Sequence, residues 1–178
     1  MRELILGGVR SGKSRHAEQR ASALSDDVVY IATAQSRDDR GMAERIAAHR
    51  ARRPAHWRTV EAPLDLAEAI HAHDASGRVL LVDCLTLWLT NRLVAEDQAA
   101  GPPPSHETLE QARSDLVGAV SAAHGHLLLV SNETGLGVMP MNALARRFCD
   151  EAGALHQQMA ECCERVTWTV AGLAQPLK

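Results

Sequence analysis

A glycine-bounded stretch near the start of the chain constrains its fold more than any other feature. Gly7 to Ser14 reads GGVRSGKS, fits G-x-x-x-x-G-K-[ST], and follows directly on the apolar run Leu4-Ile5-Leu6. Each part of this pattern has a mechanical job. The glycines let the backbone curl until successive N–H groups point inward at phosphate oxygens. Lys13 brings a positive charge to the β- and γ-phosphates, and Ser14 offers a hydroxyl to Mg²⁺. A helix starting at Lys13 would turn its positive dipole end to the same anion. The alternative is a glycine-rich turn that matches by chance. The strand-like run before it and the helix-compatible SRHAEQRASAL after it argue for the phosphate loop. The motif alone gives a nucleoside triphosphate and leaves the reaction open.

Composition narrows the classes further. A length of 178 residues suits one domain with a sizeable core, here 1–178, and the formal charge of −3 is wrong for a general polyanion binder. Three Trp, one Tyr and one Phe are too few for stacking platforms on single-stranded nucleic acid. Cys84, Cys149, Cys162 and Cys163 form no C-x-x-C pair and read as reduced thiols of a cytoplasmic protein. The motif begins almost at once, so no signal peptide is expected. The most apolar stretch, Val79 to Ala95, is interrupted by Asp83, Thr86, Thr90, Asn91 and Arg92 and is not a membrane span.

Short apolar runs alternate with helical patterns along the chain. Strands are expected at Glu3–Leu6, Val28–Thr33, Trp57–Glu61, Arg78–Asp83, His126–Ser131 and Val166–Val170. Helices are expected at Lys13–Leu24, Asp38–Arg50, Leu64–His73, Thr86–Asp97, Glu107–Ala123 and Pro140–Glu164. Gln98–Ser105 (QAAGPPPS) is a loop, because consecutive prolines cannot continue a helix. Continuous apolar strands separated by amphipathic helices imply an α/β fold with a largely parallel sheet covered on both faces. In such sheets ligands gather at the carboxyl ends of the strands. The segments after Leu6, Thr33, Asp83 and Ser131 should therefore share one rim.

Two further features carry chemistry. Asp83 ends the run VLLVD, where a carboxylate would face the phosphate loop and hold Mg²⁺; the plainer reading is a cap on the next helix. The stretch RIAAHRARRPAHWR contains Arg45, Arg50, Arg52, Arg53 and Arg58 with His49 and His56. It reads as a solvated face, as a short nucleic-acid patch that the overall charge disfavours, or as guanidiniums gripping a triphosphate while a neutral imidazole attacks its α-phosphorus. Composition does not choose among these.

Taken together, GGVRSGKSRHAE, YIATAQ, ERIAAHRARRPAHWRTVEAP, LLVDCLTLWLTN and NETGLGVMP resemble the bifunctional adenosylcobinamide kinase / adenosylcobinamide-phosphate guanylyltransferase family of cobalamin synthesis. They span nearly the whole chain in order, and the pattern R-I-x-x-H-x-x-x-R-P-x-x-W-x-T-x-E is far more restrictive than a glycine loop. The resemblance implies a RecA-like phosphate-loop NTPase fold and two reactions. ATP or GTP phosphorylates adenosylcobinamide, and GTP then transfers GMP through an enzyme histidine to adenosylcobinamide phosphate, with release of pyrophosphate. By position, His49 matches the guanylylated histidine, and Lys13 is the second catalytic residue. Gly8, Val9, Arg10, Ser11, Gly12, Lys13, Ser14 and Arg15 match the phosphate loop. Thr33, Ala34, Gln35, Arg50, Ala51, Arg52, Arg53, Glu61 and Asp83 match further nucleotide-contacting positions, with Ser14 and Asp83 on Mg²⁺. The family also implies a homo-oligomer, in some members a trimer.

The chain departs from the family in the helix after NETGLG. Cys149-Asp150 stands where Arg-Asp is common, and His156-Gln157 where Asn-Gln is common. Replacing Arg by Cys removes a fixed charge and a bidentate donor. Glu133, at a strand end in the Asn132–Gly137 loop, would position the acceptor or a metal, or simply shape a helix-entry turn. The competing functional readings are guanylyl transfer alone, an ordinary small-metabolite kinase with the histidine idle, and a regulatory nucleotide-binding module. A binding module has no need of Lys13, Ser14 and Asp83 together.

Overall fold

The computed structural model describes residues 1–34, 47, 51, 53–98 and 108–178. Seven strands form one sheet: β1 (Arg2–Gly7), β2 (Val28–Ala32), β3 (Arg58–Glu61), β4 (Val79–Asp83), β5 (His126–Asn132), β6 (Arg165–Val170) and β7 (Leu173–Pro176). The helices are α1 (Lys13–Leu24), α2 (Leu66–His73), α3 (Leu85–Gln98), α4 (Leu109–Ala122) and α5 (Ala143–Cys162). The strand order is β3-β2-β4-β5-β1-β6-β7, parallel throughout except for the antiparallel β6–β7 pair.

The alternation of side chains along the strands builds two cores. On one face Leu4, Leu6, Val29, Ile31, Leu80, Val82, Leu127 and Leu129 meet α2, α3, α4 and α5. On the other, Ile5, Val28, Tyr30, Val79, Leu81, Leu128 and Val130 meet Ala17 and Ala21 of α1 and the indole of Trp57. Both faces being covered is why these strands read as unbroken apolar runs. The apolar surplus on α3 has the same cause: Leu85, Trp88 and Leu89 are buried between sheet and helices, Trp88 Nε1 donates to the Leu64 carbonyl at 2.8 Å, and Leu87 packs toward the opposite core.

Most expected elements appear, with shifted ends. The last helix starts at Ala143 because Asn142 caps it, its side chain accepting from the Ala145 N–H at 3.0 Å. Helix α2 begins at Leu66 and strand β3 at Arg58, slightly inside the expected ranges. Most of the helix expected at Asp38–Arg50, and the proline loop from Ala99 onward, lie outside the described residues. The sequence reading missed β7 altogether. Its residues, LAQP, are all exposed and end in proline, so they show neither alternation nor an apolar run. A two-residue turn joins it to β6, with Ala171 at φ 52° and Gly172 at φ 80°, both in the left-handed region that tight hairpins need. Among the described residues no helix is long and apolar enough to cross a membrane.

Leu129 is fully enclosed in the larger core. Leu129→Ala should cost about 2–5 kcal/mol through lost burial and the cavity left behind. In a chain of this size, roughly 2–4 °C per kcal/mol, the melting temperature should fall by about 5–15 °C in a calorimetric scan.

Candidate active site

The chain leaves β1 through Gly7, where a side chain has no room: a Cβ there would sit 2.5 Å from the Thr169 carbonyl oxygen and 2.5 Å from Ser11 Oγ. Gly12 closes the loop at φ 99°, and a Cβ on it would lie 3.1 Å from the Cα of Gly172. The Gly172 N–H donates to the Ser11 carbonyl at 2.8 Å. The β6–β7 turn is therefore the wall against which the phosphate loop is formed. Gly12 supplies no side-chain cap to α1, which leaves the first-turn amides to an anion. Lys13 is buried, and its Nζ donates to the Gly8 carbonyl at 3.1 Å. Burial lowers its pKa, and the Asp83 carboxylate opposes that shift. Val9, Arg10 and Arg15 are exposed, Gly8 and Ser14 half-buried, and Ser11 buried.

Asp83 stands at the end of β4, two strands from β1 with β5 between them. Neighbouring strands lie about 4.8 Å apart, which separates the two chain paths by roughly 10 Å. That gap suits phosphate groups held between a cation on one side and a carboxylate on the other. The Tyr30 hydroxyl donates to Asp83 Oδ2 at 2.8 Å, and burial with the nearby Asp83 charge pushes the phenol's pKa well up. Next in the chain, burial and Asp83 push the Cys84 thiol up to about 11, so it stays protonated.

Behind these groups the strand ends are tied together. Thr33, fully buried, donates its hydroxyl to the Cys84 carbonyl at 2.7 Å and accepts from the Cys84 N–H at 2.8 Å. The Asn91 amide donates to the carbonyls of Thr33 at 2.8 Å and Pro63 at 3.0 Å. Thr86 accepts from Nδ2 of Asn132 at 3.1 Å. With its side chain committed in this way, Thr33 braces the rim. Ala34 is half-buried beside it.

Arg53 lies on the Tyr30 ring, its guanidinium carbon 3.3 Å from the centroid, and so connects the basic segment to the phenol that holds Asp83. A cleft of about 400 Å³ opens there, lined by Arg53, Pro54, Ala55, Trp57, Thr59 and Glu61. Ala51 is exposed. His49, Gln35, Arg50 and Arg52 lie outside the described residues. The structure thus brings the phosphate loop, Asp83 and Arg53 to the carboxyl ends of β1, β4 and β2, and sets Glu61 at the far edge on β3. Sequence reasoning missed Tyr30, whose partner 53 residues away leaves no local signal. Among the described residues no three His, Cys, Asp or Glu side chains cluster to hold a metal ion.

Comparison with known proteins places this geometry. Residues 3–177 match the family model described as cobinamide kinase / cobinamide phosphate guanyltransferase. The chain is 56% identical over 178 residues to a bifunctional adenosylcobalamin biosynthesis protein, CobP, of Pseudomonas aeruginosa, covering 100% of this chain and 98% of that one. It is 41% identical over 182 residues to the bifunctional adenosylcobalamin biosynthesis protein CobU of Escherichia coli, covering 98% of each. Solved structures of similar shape include a prototypical ATPase from the type III secretion system of pathogenic bacteria (TM-score 0.56, 13% identity), matched over 94% of this chain and 50% of that one. The assembled ATPase EscN of enteropathogenic E. coli is similar too (TM-score 0.56, 12% identity), over 96% of this chain and 43% of that one. At such identities the likeness is one of fold: the mostly parallel sheet of a phosphate-loop NTPase.

Two substitutions test the loop. Gly7→Ala forces a methyl against a backbone carbonyl that cannot move away cheaply, so nucleotide affinity by calorimetry should fall at least about tenfold. Lys13→Ala removes the cation facing the developing phosphate charge and should lower turnover by about 100-fold or more, the usual scale for one such donor.

Proposed function

This chain belongs to the cobinamide kinase / cobinamide phosphate guanyltransferase family, and on that premise we propose two transfers at one nucleotide site. In the first, the free hydroxyl of the aminopropanol arm of adenosylcobinamide takes the γ-phosphoryl group of ATP or GTP. In the second, His49 attacks the α-phosphorus of GTP and pyrophosphate leaves. Adenosylcobinamide phosphate then displaces the imidazole, giving adenosylcobinamide-GDP.

The observation that supports this reading most is a phosphate loop after β1, with Lys13 buried at the start of α1, and Asp83 ending β4 on the far side of β5. The phosphate loop binds and orients the triphosphate for both reactions. Lys13 neutralises charge that builds on the oxygens of the leaving group. A neutral imidazole at position 49 is a competent nucleophile near pH 7 and a good leaving group, so one hard displacement becomes two easier ones. Four residues of chain reach at most about 14 Å. Position 49 is four residues along the chain from Arg53, whose guanidinium lies on the Tyr30 ring. Closure of the basic segment over the nucleotide would bring it in line. Glu61 offers acceptor oxygens to guanine N–H groups beside the cleft.

Mg²⁺ fits the site by donor chemistry: the Ser14 hydroxyl and Asp83 carboxylate are hard oxygen ligands. The lack of a fuller cluster among the described residues suits an ion that shares its coordination with phosphates and water. Bound there, it would supply Lewis-acid stabilisation of phosphate charge. The four cysteines are free thiols, in keeping with a cytoplasmic enzyme. The exposed side chains of Leu136, Val138 and Met141 give a second copy an apolar surface to cover, in keeping with a homo-oligomer such as a trimer.

Incubation with GTP labelled on the α-phosphate tests the covalent step. The intact chain and His56→Ala should retain label on the protein, lost on acid treatment as phosphoramidates are; His49→Ala should retain none. Label persisting on His49→Ala, or vanishing only with His56→Ala, would overturn the assignment.

A further inference from the structure

Strand β5 runs between the strand that carries the phosphate loop and the strand that ends in Asp83, and its exit holds a chain of three polar side chains. Ser131 is fully buried, with Oγ 2.7 Å from Nε2 of His156 on α5. On the other side of the same ring, Nδ1 lies 3.7 Å from Oε2 of Glu133. Glu133 Oε1 accepts the Gly135 N–H at 2.5 Å, and the Glu133 N–H donates to the Gly7 carbonyl at 3.1 Å. Glu133 is therefore tied by its backbone to the first residue of the phosphate loop, and by its carboxylate to α5 and its own turn.

We propose that Glu133 is the general base that takes the proton of the acceptor hydroxyl during γ-phosphoryl transfer, and that His156, locked by Ser131, is the positioning residue that aims its carboxylate. The inference rests on the kinase reaction proposed above. The acceptor oxygen forms its bond to the γ-phosphorus, the bond from that phosphorus to the β-bridging oxygen breaks, and the nucleoside diphosphate leaves. The hydroxyl proton passes to Glu133 and then to solvent.

Position selects Glu133 among the described carboxylates at this rim. It is one strand from β1, about 5 Å, whereas Glu61 on β3 is four strands away, about 19 Å. Asp83 is engaged by the Tyr30 hydroxyl and offered to the metal. The Glu133 side chain is 21% exposed, enough to meet a substrate while remaining fixed. The histidine fits a holding role. It is buried, and burial favours its neutral form while Glu133 opposes that shift. In the tautomer where Ser131 donates to Nε2, the ring hydrogen is on Nδ1, 3.7 Å from Oε2 of Glu133. An asparagine amide at this position would also donate a hydrogen but has no charge to titrate.

The test measures two rates on the same preparations: phosphorylation of adenosylcobinamide by ATP, and GMP transfer from GTP to adenosylcobinamide phosphate supplied ready-made. Glu133→Gln, which keeps the shape and the Gly135 contact, should lower kinase kcat by about 100-fold or more, the scale of general-base catalysis. The ratio of kinase to guanylyltransferase rate should fall at least about tenfold. His156→Ala should lower kinase kcat about 5- to 20-fold, change nucleotide KM less, and move the acid limb of the kcat–pH profile. His156→Asn should recover most of the rate with that limb nearer to its original place. Equal loss of both reactions in Glu133→Gln, or a kinase rate within about threefold of the unaltered chain, would overturn the proposal. The unaltered chain's own two rates test the family reading separately, since they do not depend on what the variants do.

Discussion

A backbone-to-backbone contact with no room for a side chain governs this molecule. Gly7 passes so close to the Thr169 carbonyl that a single methyl would collide with it. Gly12, in a left-handed conformation, meets Gly172 in the same way. These approaches fix the curvature of the phosphate loop, and the curvature fixes where Lys13 and the start of α1 point. The loop is usually thought of as a local motif. Here part of its support comes from the other end of the chain, through the β6–β7 turn and the hydrogen bond from Gly172 to Ser11. A glycine at position 172 therefore matters to a loop near the start of the chain.

The rest of the rim solves a different problem. Where parallel strands stop, their last N–H and C=O groups lose their ladder partners, and buried groups of this kind must find others. Thr33, Asn91 and Thr86 supply them, joining the ends of β2, β4 and β5. Such bonds are modest one by one, about 0.5–1.5 kcal/mol net. Together they brace the end of β4, where Asp83 stands, against its neighbouring strands. That preorganisation is what an electrostatic catalyst needs, since a site that rearranged during reaction would lose much of its advantage.

The sequence made some of this legible and concealed the rest for physical reasons. The parallel sheet was readable because strands buried on both faces must be continuously apolar, as Leu80, Leu81 and Val82 are. The phosphate loop was readable because its glycines, lysine and serine are contiguous. Strand β7 was not, because an exposed edge strand needs no apolar face. The side-chain roles at the rim were hidden by distance: Tyr30 to Asp83, Thr33 to Cys84 and Ser131 to His156 join residues 53, 51 and 25 positions apart. Thr33, matched by position to nucleotide-contacting residues, has its hydroxyl bonded to the Cys84 backbone just past β4, a tie that no local pattern announces. His156 shows the converse: first noticed as a departure from a family pattern, it becomes intelligible only once Ser131 and Glu133 are seen on either side of its ring.

The order of strands also bears on the proposal that one nucleotide site serves two nucleophiles. Glu133 emerges from β5, next to the phosphate loop, while Tyr30, on whose ring Arg53 stacks, belongs to β2, two strands further along. At about 4.8 Å per strand the two positions are roughly 10 Å apart along the rim. An acceptor hydroxyl guided by Glu133 would meet the terminal phosphate near the loop. The proposed second transfer attacks the phosphate nearer the nucleoside and calls on neither Glu133 nor His156. On that reading the two displacements share the phosphate loop and need no second nucleotide site. What must change between the reactions is the occupant of the site: first the acceptor's hydroxyl arm, then the phosphate that this arm has gained.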